Sequence, residues 1–136
     1  MILDKTSAAI YTTLTGSTAL TALLNDATSV YDTQAPEGAS LDYVVFSLQA
    51  GGPEVVTGSE IENNLWFVRV YSTSAKKASE AFEKVDALLH RKNITIGSGV
   101  TWWCAREENV KNVEVTPSGQ LIWMAGGIYR IRTSGV

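Results

Sequence analysis

The chain has 136 residues, of which 45% are hydrophobic and 18% are charged, and its formal net charge is −3. A chain of this length has room for one globular domain with its own core, and no apolar run approaches the roughly 20 residues of a membrane span. The acidic balance argues against binding nucleic acid through a general basic surface.

The N-terminal part is predicted to form two short helices. Residues Met1–Lys5 lack the basic start and the long apolar stretch of a secretory signal. A first helix follows Asp4, which can cap it, and Gly16 interrupts it. Ser17 begins a second helix, and Asn25-Asp26 ends it. Residues at three- and four-residue steps predict one buried face in each helix: Leu3, Ser7, Ile10 and Leu14 in the first, and Leu20, Leu23 and Leu24 in the second.

The next segment alternates between strands and connections. Val30–Asp32 is a short strand candidate, and Tyr43–Gln49 is a strand with apolar residues on both faces. Residues 50–64 are predicted to be a long polar connection, and we expect residues 50–63 to become ordered only against a neighbour. Leu65–Thr73 is a second two-sided strand, which belongs in the middle of a sheet or under a partner.

The C-terminal half begins with the clearest helix, Ser74 to about His90, whose apolar stripe faces away from its charged side. Strands are predicted after it at Ile94–Ile96, Val100 to about Glu107, Val113–Thr116 and Leu121–Thr133, the last two joined by a turn at Pro117-Ser118-Gly119. The fold class is therefore α+β: one domain over residues 1–136, with a mostly antiparallel β-sheet and its helices packed on one face.

The residues of types used in catalysis or metal binding each have an ordinary structural explanation. His90, at the end of a helix, is expected to be a solvated cap, and Cys104 a buried, inert thiol made in a reducing cytoplasm. One histidine and one cysteine do not make the usual zinc sets. Glu107 and Glu108, as strand neighbours, are expected to face opposite ways. The sequence predicts no enzyme, and no catalytic, cofactor-binding or metal-binding residues.

Glycine, aromatic and basic residues raise three further questions. Gly126-Gly127, inside a strand, indicates either a bulge or a close backbone approach. Trp102 and Trp103 are expected on opposite faces of their strand, so that the second face is either a wet surface or partly a subunit interface. Arginines alternate with aromatic residues on two strands, but the acidic total does not favour single-stranded nucleic acid as the ligand.

Charge is divided unevenly along the chain. Residues 1–68 hold eight acids and one base, giving −7, and residues 69–136 hold six acids and ten bases, giving +4. This division is either drift along the chain or a pair of complementary surfaces. In the second case, a head-to-tail contact between copies would join them.

The order of these elements resembles the tail terminator, or tail completion (tail-to-head joining), proteins of long-tailed bacteriophages. Over roughly residues 5–133, two leucine-spaced helices lead to Val30-Tyr31-Asp32, then to Ala35-Pro36-Glu37-Gly38 and Tyr43-Val44-Val45. After a polar loop, the strand Val68-Arg69-Val70-Tyr71-Ser72 runs directly into the long helix.

The resemblance implies a structural role in the virion, after synthesis and assembly in the host cytoplasm. It implies a homohexameric ring that caps the tail tube, stops its polymerisation and offers a docking surface to the head connector. The implied partners are other copies of the chain, the major tail tube protein and the head connector or head-completion protein, while DNA passes through without specific binding. Candidate interface residues lie in the polar loop and on the later strands: Gly51, Gly52, Pro53, Glu54, Val55, Val56, Arg69, Trp103, Arg130 and Arg132.

The sequence is also compatible with two other kinds of function. Another neck or tail component, such as a head-completion protein, a stopper protein or a tube subunit, has the same general character. A small α+β ligand-binding or enzymatic domain, with a pocket between sheet and helix, is the alternative from a different class.

Overall fold

A computed structural model describes residues 2–56 and 59–134. Three helices are present there: α1 (Ile2–Thr15), α2 (Thr18–Thr21) and α3 (Ala75–Leu89). Five strands accompany them: β1 (Val30–Asp32), β2 (Tyr43–Val56), β3 (Ser59–Ser72), β4 (Val100–Val115) and β5 (Leu121–Ser134). No helix in this part of the chain is long and apolar enough to cross a membrane.

Serine side chains start two of the helices. The Oγ of Ser17 accepts a hydrogen bond from the backbone N–H of Leu20 (3.3 Å), and the Oγ of Ser74 accepts one from Lys77 (3.2 Å). Both predicted starts are thus confirmed, because each hydroxyl occupies an N–H that the helix leaves free. The predicted cap at Asp4 is wrong: α1 begins at Ile2, which leaves Asp4 within its first turn.

The five strands form one sheet in the order β1-β2-β3-β5-β4. β1 runs parallel to β2, and every other neighbouring pair is antiparallel. β3 lies in the centre, as its two apolar faces predicted. Its residues pair with β2 on one side and with β5 on the other, Val68 lying between Phe46 and Gly127.

All three helices lie on one side of the sheet, which we call the helix-covered face. Ile10 and Leu14 of α1 and Val85 and Leu89 of α3 are fully buried there. They pack in one core with side chains of the central strands: Val44, Phe46, Trp66, Val68, Val70 and Tyr129. The opposite side, the open face, has no helix among the described residues. The predicted α+β fold, with its helices on one face, is confirmed.

The predicted polar connection over residues 50–64 is wrong. β2 continues to Val56 and β3 starts at Ser59, so that these strands form an arm paired from Ala50–Leu65 to Val56–Ser59. Residues 57–58 lie outside the described residues. Polar side chains obscured the strand pattern in the sequence, yet Asn63 and Glu54 bond to each other across the arm. The prediction that residues 50–63 gain order against a neighbour stays a prediction.

Two further strand predictions are corrected. Ile94–Ile96 is not a strand; its two isoleucine side chains are buried in the core, and the Ile94 carbonyl accepts a hydrogen bond from the Thr101 hydroxyl (2.7 Å). The strands predicted at Val100–Glu107 and Val113–Thr116 are one strand, β4. Its polar middle is continued by backbone pairing with β5, which the side-chain pattern does not reveal.

Gly126 and Gly127 are sites of close packing. The register of β5 passes through both without a shift, so the predicted alternative of a bulge is wrong and that of a close approach is confirmed. A Cβ at Gly126 would lie 2.7 Å from the Val68 carbonyl oxygen, and one at Gly127 would lie 3.0 Å from the Phe82 ring.

Replacing Gly126 by alanine should therefore destabilise the domain. The added methyl meets the β3 backbone, which cannot move without disturbing the central strand, and we expect a loss of about 1–3 kcal/mol in unfolding free energy. Gly52→Ala is the matched control, because its Cβ would meet nothing within 4 Å. Urea unfolding checks both variants, and equal stabilities would contradict this account of the packing.

Candidate subunit interface

The open face combines an apolar surface with a row of charges. β3 contributes Phe67 and Tyr71 to it, and β5 contributes Ile128, all partly exposed. Val45 of β2 is buried among them. Such a sheet surface, apolar and without a covering helix, is unusual for a protein that acts alone.

Two β-bulges in β4 turn additional side chains toward this face. At the first bulge, Trp103 pairs with Arg132 while Thr101 pairs with Thr133, which leaves Trp102 as the extra residue. The indole N–H of Trp102 donates to the Oγ of Ser134 (2.7 Å), a residue that shares the side of Arg132. The prediction that the two tryptophans face opposite ways is wrong, because a bulge changes the alternation of side chains.

Both tryptophans are strongly exposed, Trp102 by 59% and Trp103 by 48%. Large aromatic rings left in water at neighbouring positions are typical of surfaces that bind other proteins.

The second bulge does the same for two carboxylates. Arg106 pairs with Tyr129 and Glu108 with Ile128, so that Glu107 is the extra residue. The Nε of Arg130, on the open face, donates to a Glu107 carboxylate oxygen (2.7 Å). The prediction that Glu107 and Glu108 point to opposite faces is therefore wrong as well.

A series of polar side-chain contacts crosses the open face from β4 to β2. Arg130 bonds to Glu107 on one side and, through Nη1, to the Asn63 side-chain oxygen on the other (2.7 Å). The Asn63 amide donates to Glu54, whose other oxygen accepts from Arg132 (2.7 Å). We call these five residues the charge network. It ties the β2–β3 arm to β5, and thereby holds the arm in place.

The pKa shifts of Glu54 and Arg130 agree with these hydrogen bonds. Hydrogen bonds from Arg132 and Asn63 hold the pKa of Glu54 below its usual value. The hydrogen bond to Glu107 raises the pKa of Arg130. Because the two ion pairs are partly exposed, each contributes modestly to stability. The Arg132–Glu54 pair links β5 to the arm, and the Arg130–Glu107 pair links β5 to β4.

Arg69 lies elsewhere on the same face, where it is held by three neighbours. Its guanidinium carbon is 4.6 Å from the centre of the Phe67 ring, and its Nε donates to the Tyr71 hydroxyl (3.0 Å). Nη1 donates to the Ser47 Oγ (3.0 Å). The guanidinium of Arg69 thus makes a stabilising cation–π contact with the Phe67 ring on the open face.

The predicted interface residues fall into three groups. Glu54, Trp103, Arg130 and Arg132 come together on the open face, and Arg69 lies on that face apart from them. The others belong to the arm: Gly51, Gly52 and Pro53, together with Val55 and Val56, whose side chains lie outside the described part of the structure. Sequence reasoning missed Asn63, Trp102 and Glu107, since no sequence signal marks the bulges that position the last two.

The two residues considered for chemistry lie away from the open face. His90 is the C-cap of α3, as predicted, but it is half-buried and its Nδ1 accepts from the backbone N–H of Arg106 (3.0 Å), so it is not simply solvated. Cys104 is buried, as predicted, and burial raises its pKa to about 12, which disfavours the reactive thiolate. Across residues 2–56 and 59–134, no group of three or more potential metal ligands occurs.

This combination of a small α+β fold with an exposed aromatic face is typical of a protein that acts through contacts with other subunits. The comparison with known families gives the class a name. The sequence model for tail completion protein gp17 matches residues 8–116, which is more than half of the chain. The chain belongs to this family of structural phage tail proteins and is a structural component of a phage tail or neck. The resemblance noted in the sequence is confirmed.

The fold is also found in an assembled particle. A chain in the solved virion of a native gene transfer agent particle matches with a TM-score of 0.76 over 98% of each chain, at 18% sequence identity. At this identity the likeness establishes the fold. No curated protein matches the sequence.

The Glu54 contacts predict an acid-sensitive part of the stability. Since its pKa is lower in the folded chain than its ordinary 4.5, the contribution is present above pH 4.5 and is lost as the pH falls through the lowered value. We expect Glu54→Gln to flatten the acid side of the stability curve, measured by urea unfolding between about pH 3 and about pH 6. A variant curve parallel to that of the wild type would contradict the assignment.

Proposed function

We propose that this chain forms a hexameric ring that caps the phage tail tube, stops its polymerisation and provides the docking surface for the head connector. The observation that carries the proposal is the exposed aromatic open face, backed by the charge network, in a chain that belongs to the tail completion family. A ring subunit needs such surfaces because each copy must contact two neighbours, the tube below and the connector above.

The open face and the arm are suited to these contacts. Trp102 and Trp103 supply large apolar area at its end, and an indole loses little rotational freedom when it is covered. The links from Glu54 to Arg132 and from Arg130 to Glu107 join β2, β5 and β4 across the surrounding surface.

The proposed role needs no catalysis, and the structure is in keeping with that. Cys104 is buried and its pKa is raised, and Nδ1 of His90 accepts a hydrogen bond from the backbone N–H of Arg106. The net charge of −3 suits a ring that lets DNA pass, because a basic lining would add phosphate contacts.

Tube assembly with and without the chain tests the proposed role. Tail tube protein polymerised on its initiating complex should reach the natural length and stop when the chain is added, and only those capped tubes should join filled heads. Without the chain, tubes should grow beyond that length. Tubes of natural length in its absence would contradict the capping role, and joining by uncapped tubes would contradict the docking role.

The aromatic part of the proposal is tested by Trp103→Ala. Loss of a large exposed ring from a contact should reduce capture of the chain by tail tubes at least about tenfold, the scale of an interface hot spot. Leu48→Ala is the matched control, because Leu48 is a similarly exposed apolar strand residue on the helix-covered face. Equal capture of both variants, with thermal stability unchanged, would show that Trp103 is not part of the interface.

A further inference from the structure

The segment that follows α3 is attached to the edge of the sheet. β4 lies at this edge and pairs with β5 on its inner side. The backbone N–H of Arg91 donates to the Cys104 carbonyl (2.7 Å), and the backbone N–H of Arg106 donates to Nδ1 of His90 (3.0 Å). We call these two hydrogen bonds the clasp. They occupy backbone groups of β4 that point away from β5.

One of the two bonds requires an uncharged histidine. A backbone N–H can only donate, so Nδ1 of His90 must present its lone pair, and the ring proton is then carried by Nε2. In the imidazolium form both ring nitrogens carry hydrogen, and neither can accept. The bond from Arg106 to His90 therefore exists only while the ring is neutral.

The other bond of the clasp holds a residue in a disfavoured backbone conformation. Arg91 has a φ of 58°, in the left-handed region where the residue after a helix is usually glycine. A residue with a Cβ adopts this conformation at a cost in free energy. The N–H of Arg91 bonds to β4, so contact with the sheet offsets that cost. Once the bond to His90 is lost, the strain at Arg91 favours release of the segment.

The surroundings of the ring do not favour a positive charge. The charged and titratable groups near it come from α3 and the residues after it, from β4 and from β5: Asp86, Arg91, Lys92, Cys104, Arg106 and Tyr129. The Asp86 carboxylate is ion-paired with Arg106 and accepts a hydrogen bond from the Tyr129 hydroxyl (2.7 Å). Within residues 2–56 and 59–134, no carboxylate forms an ion pair with His90.

We propose that the clasp is a pH-sensitive device in which neutral His90 holds the segment after α3 on the edge of β4 and protonation of the ring releases it. A histidine in water is half-protonated near pH 6.5. The open clasp can bind a proton that the closed clasp excludes, so closure is favoured above about pH 6.5 and is lost progressively below it. Ile94 and Ile96, further along the segment, are buried in the core, which confines the opening to the clasp.

The clasp lies next to a contact of the open face. Arg106 directly precedes Glu107, the extra residue of the second bulge in β4, and the Glu107 carboxylate bonds to Arg130. Opening of the clasp therefore frees the β4 backbone beside the bulge that places Glu107 in the charge network. This inference concerns the fold of the single chain and does not depend on the proposed ring.

Amide hydrogen exchange of the full chain, followed by NMR, tests the inference at Arg106. The protection factor of its amide, which corrects for the intrinsic effect of pH on exchange, should fall about tenfold between about pH 7.5 and about pH 5.5. That factor follows because the lower pH is about one unit below the ordinary histidine midpoint and only the open clasp takes up the proton. The opening is local, so about 1 M urea should leave this protection factor unchanged.

His90→Asn is the matched variant, because the side-chain oxygen of asparagine is an acceptor that does not titrate. Its Arg106 amide should have the same protection factor at both pH values. Three results would overturn the clasp: an unchanged protection factor in the wild type, an equal fall in the variant, or exchange of the Arg106 amide only through urea-sensitive global unfolding.

Discussion

The central strand of this protein is apolar on both faces, and the helices of the described chain cover only one of them. Val68 and Val70 face α1 and α3 and are fully buried. Phe67 and Tyr71, which alternate with them, face the side without helices. Burying both faces of a sheet requires a second layer, and residues 2–56 and 59–134 supply none on this side. Arg69, the charge network and the two bulges of β4 all place polar or aromatic side chains on this uncovered face.

Polar groups lie among the apolar residues of the open face and bond to one another and to the aromatic rings. Arg69 lies over Phe67 and bonds to Tyr71, so that a cation shields part of the aromatic surface. The charge network crosses the strands beyond it and fixes the arm. The bulges in β4 then direct Trp102 and Trp103 outward at the same end. The result is a surface whose polar side chains are bonded to one another and whose aromatic rings are exposed to a partner.

The sequence was sufficient for the parts of the fold that depend on local patterns. The stripe of α3, the caps Ser17 and Ser74 and the two-sided β3 each follow from side-chain periodicity or from one hydrogen-bonding group. The arm was not predictable in the same way, because its polar residues are stabilised by contacts with residues distant in sequence. Glu54 and Arg132 illustrate this, since their pairing exists only once β2, β3 and β5 have assembled.

The candidate site was predictable in outline and not in orientation. Trp103, Arg130 and Arg132 were predicted from residue type and strand position and Glu54 from a predicted polar loop, and the four lie together on the open face. Bulges, however, depend on backbone pairing that leaves no mark in the sequence, and they place Trp102 on the side of Trp103 and Glu107 on the side of Glu108 instead of opposite them.

The proposed ring is a sixfold assembly seated at the end of a tail tube. Electron microscopy of tail tubes incubated with the purified chain shows it directly if it forms. We expect one sixfold ring at one end of each tube, whereas a chain that stays monomeric and leaves both tube ends bare rules the ring out.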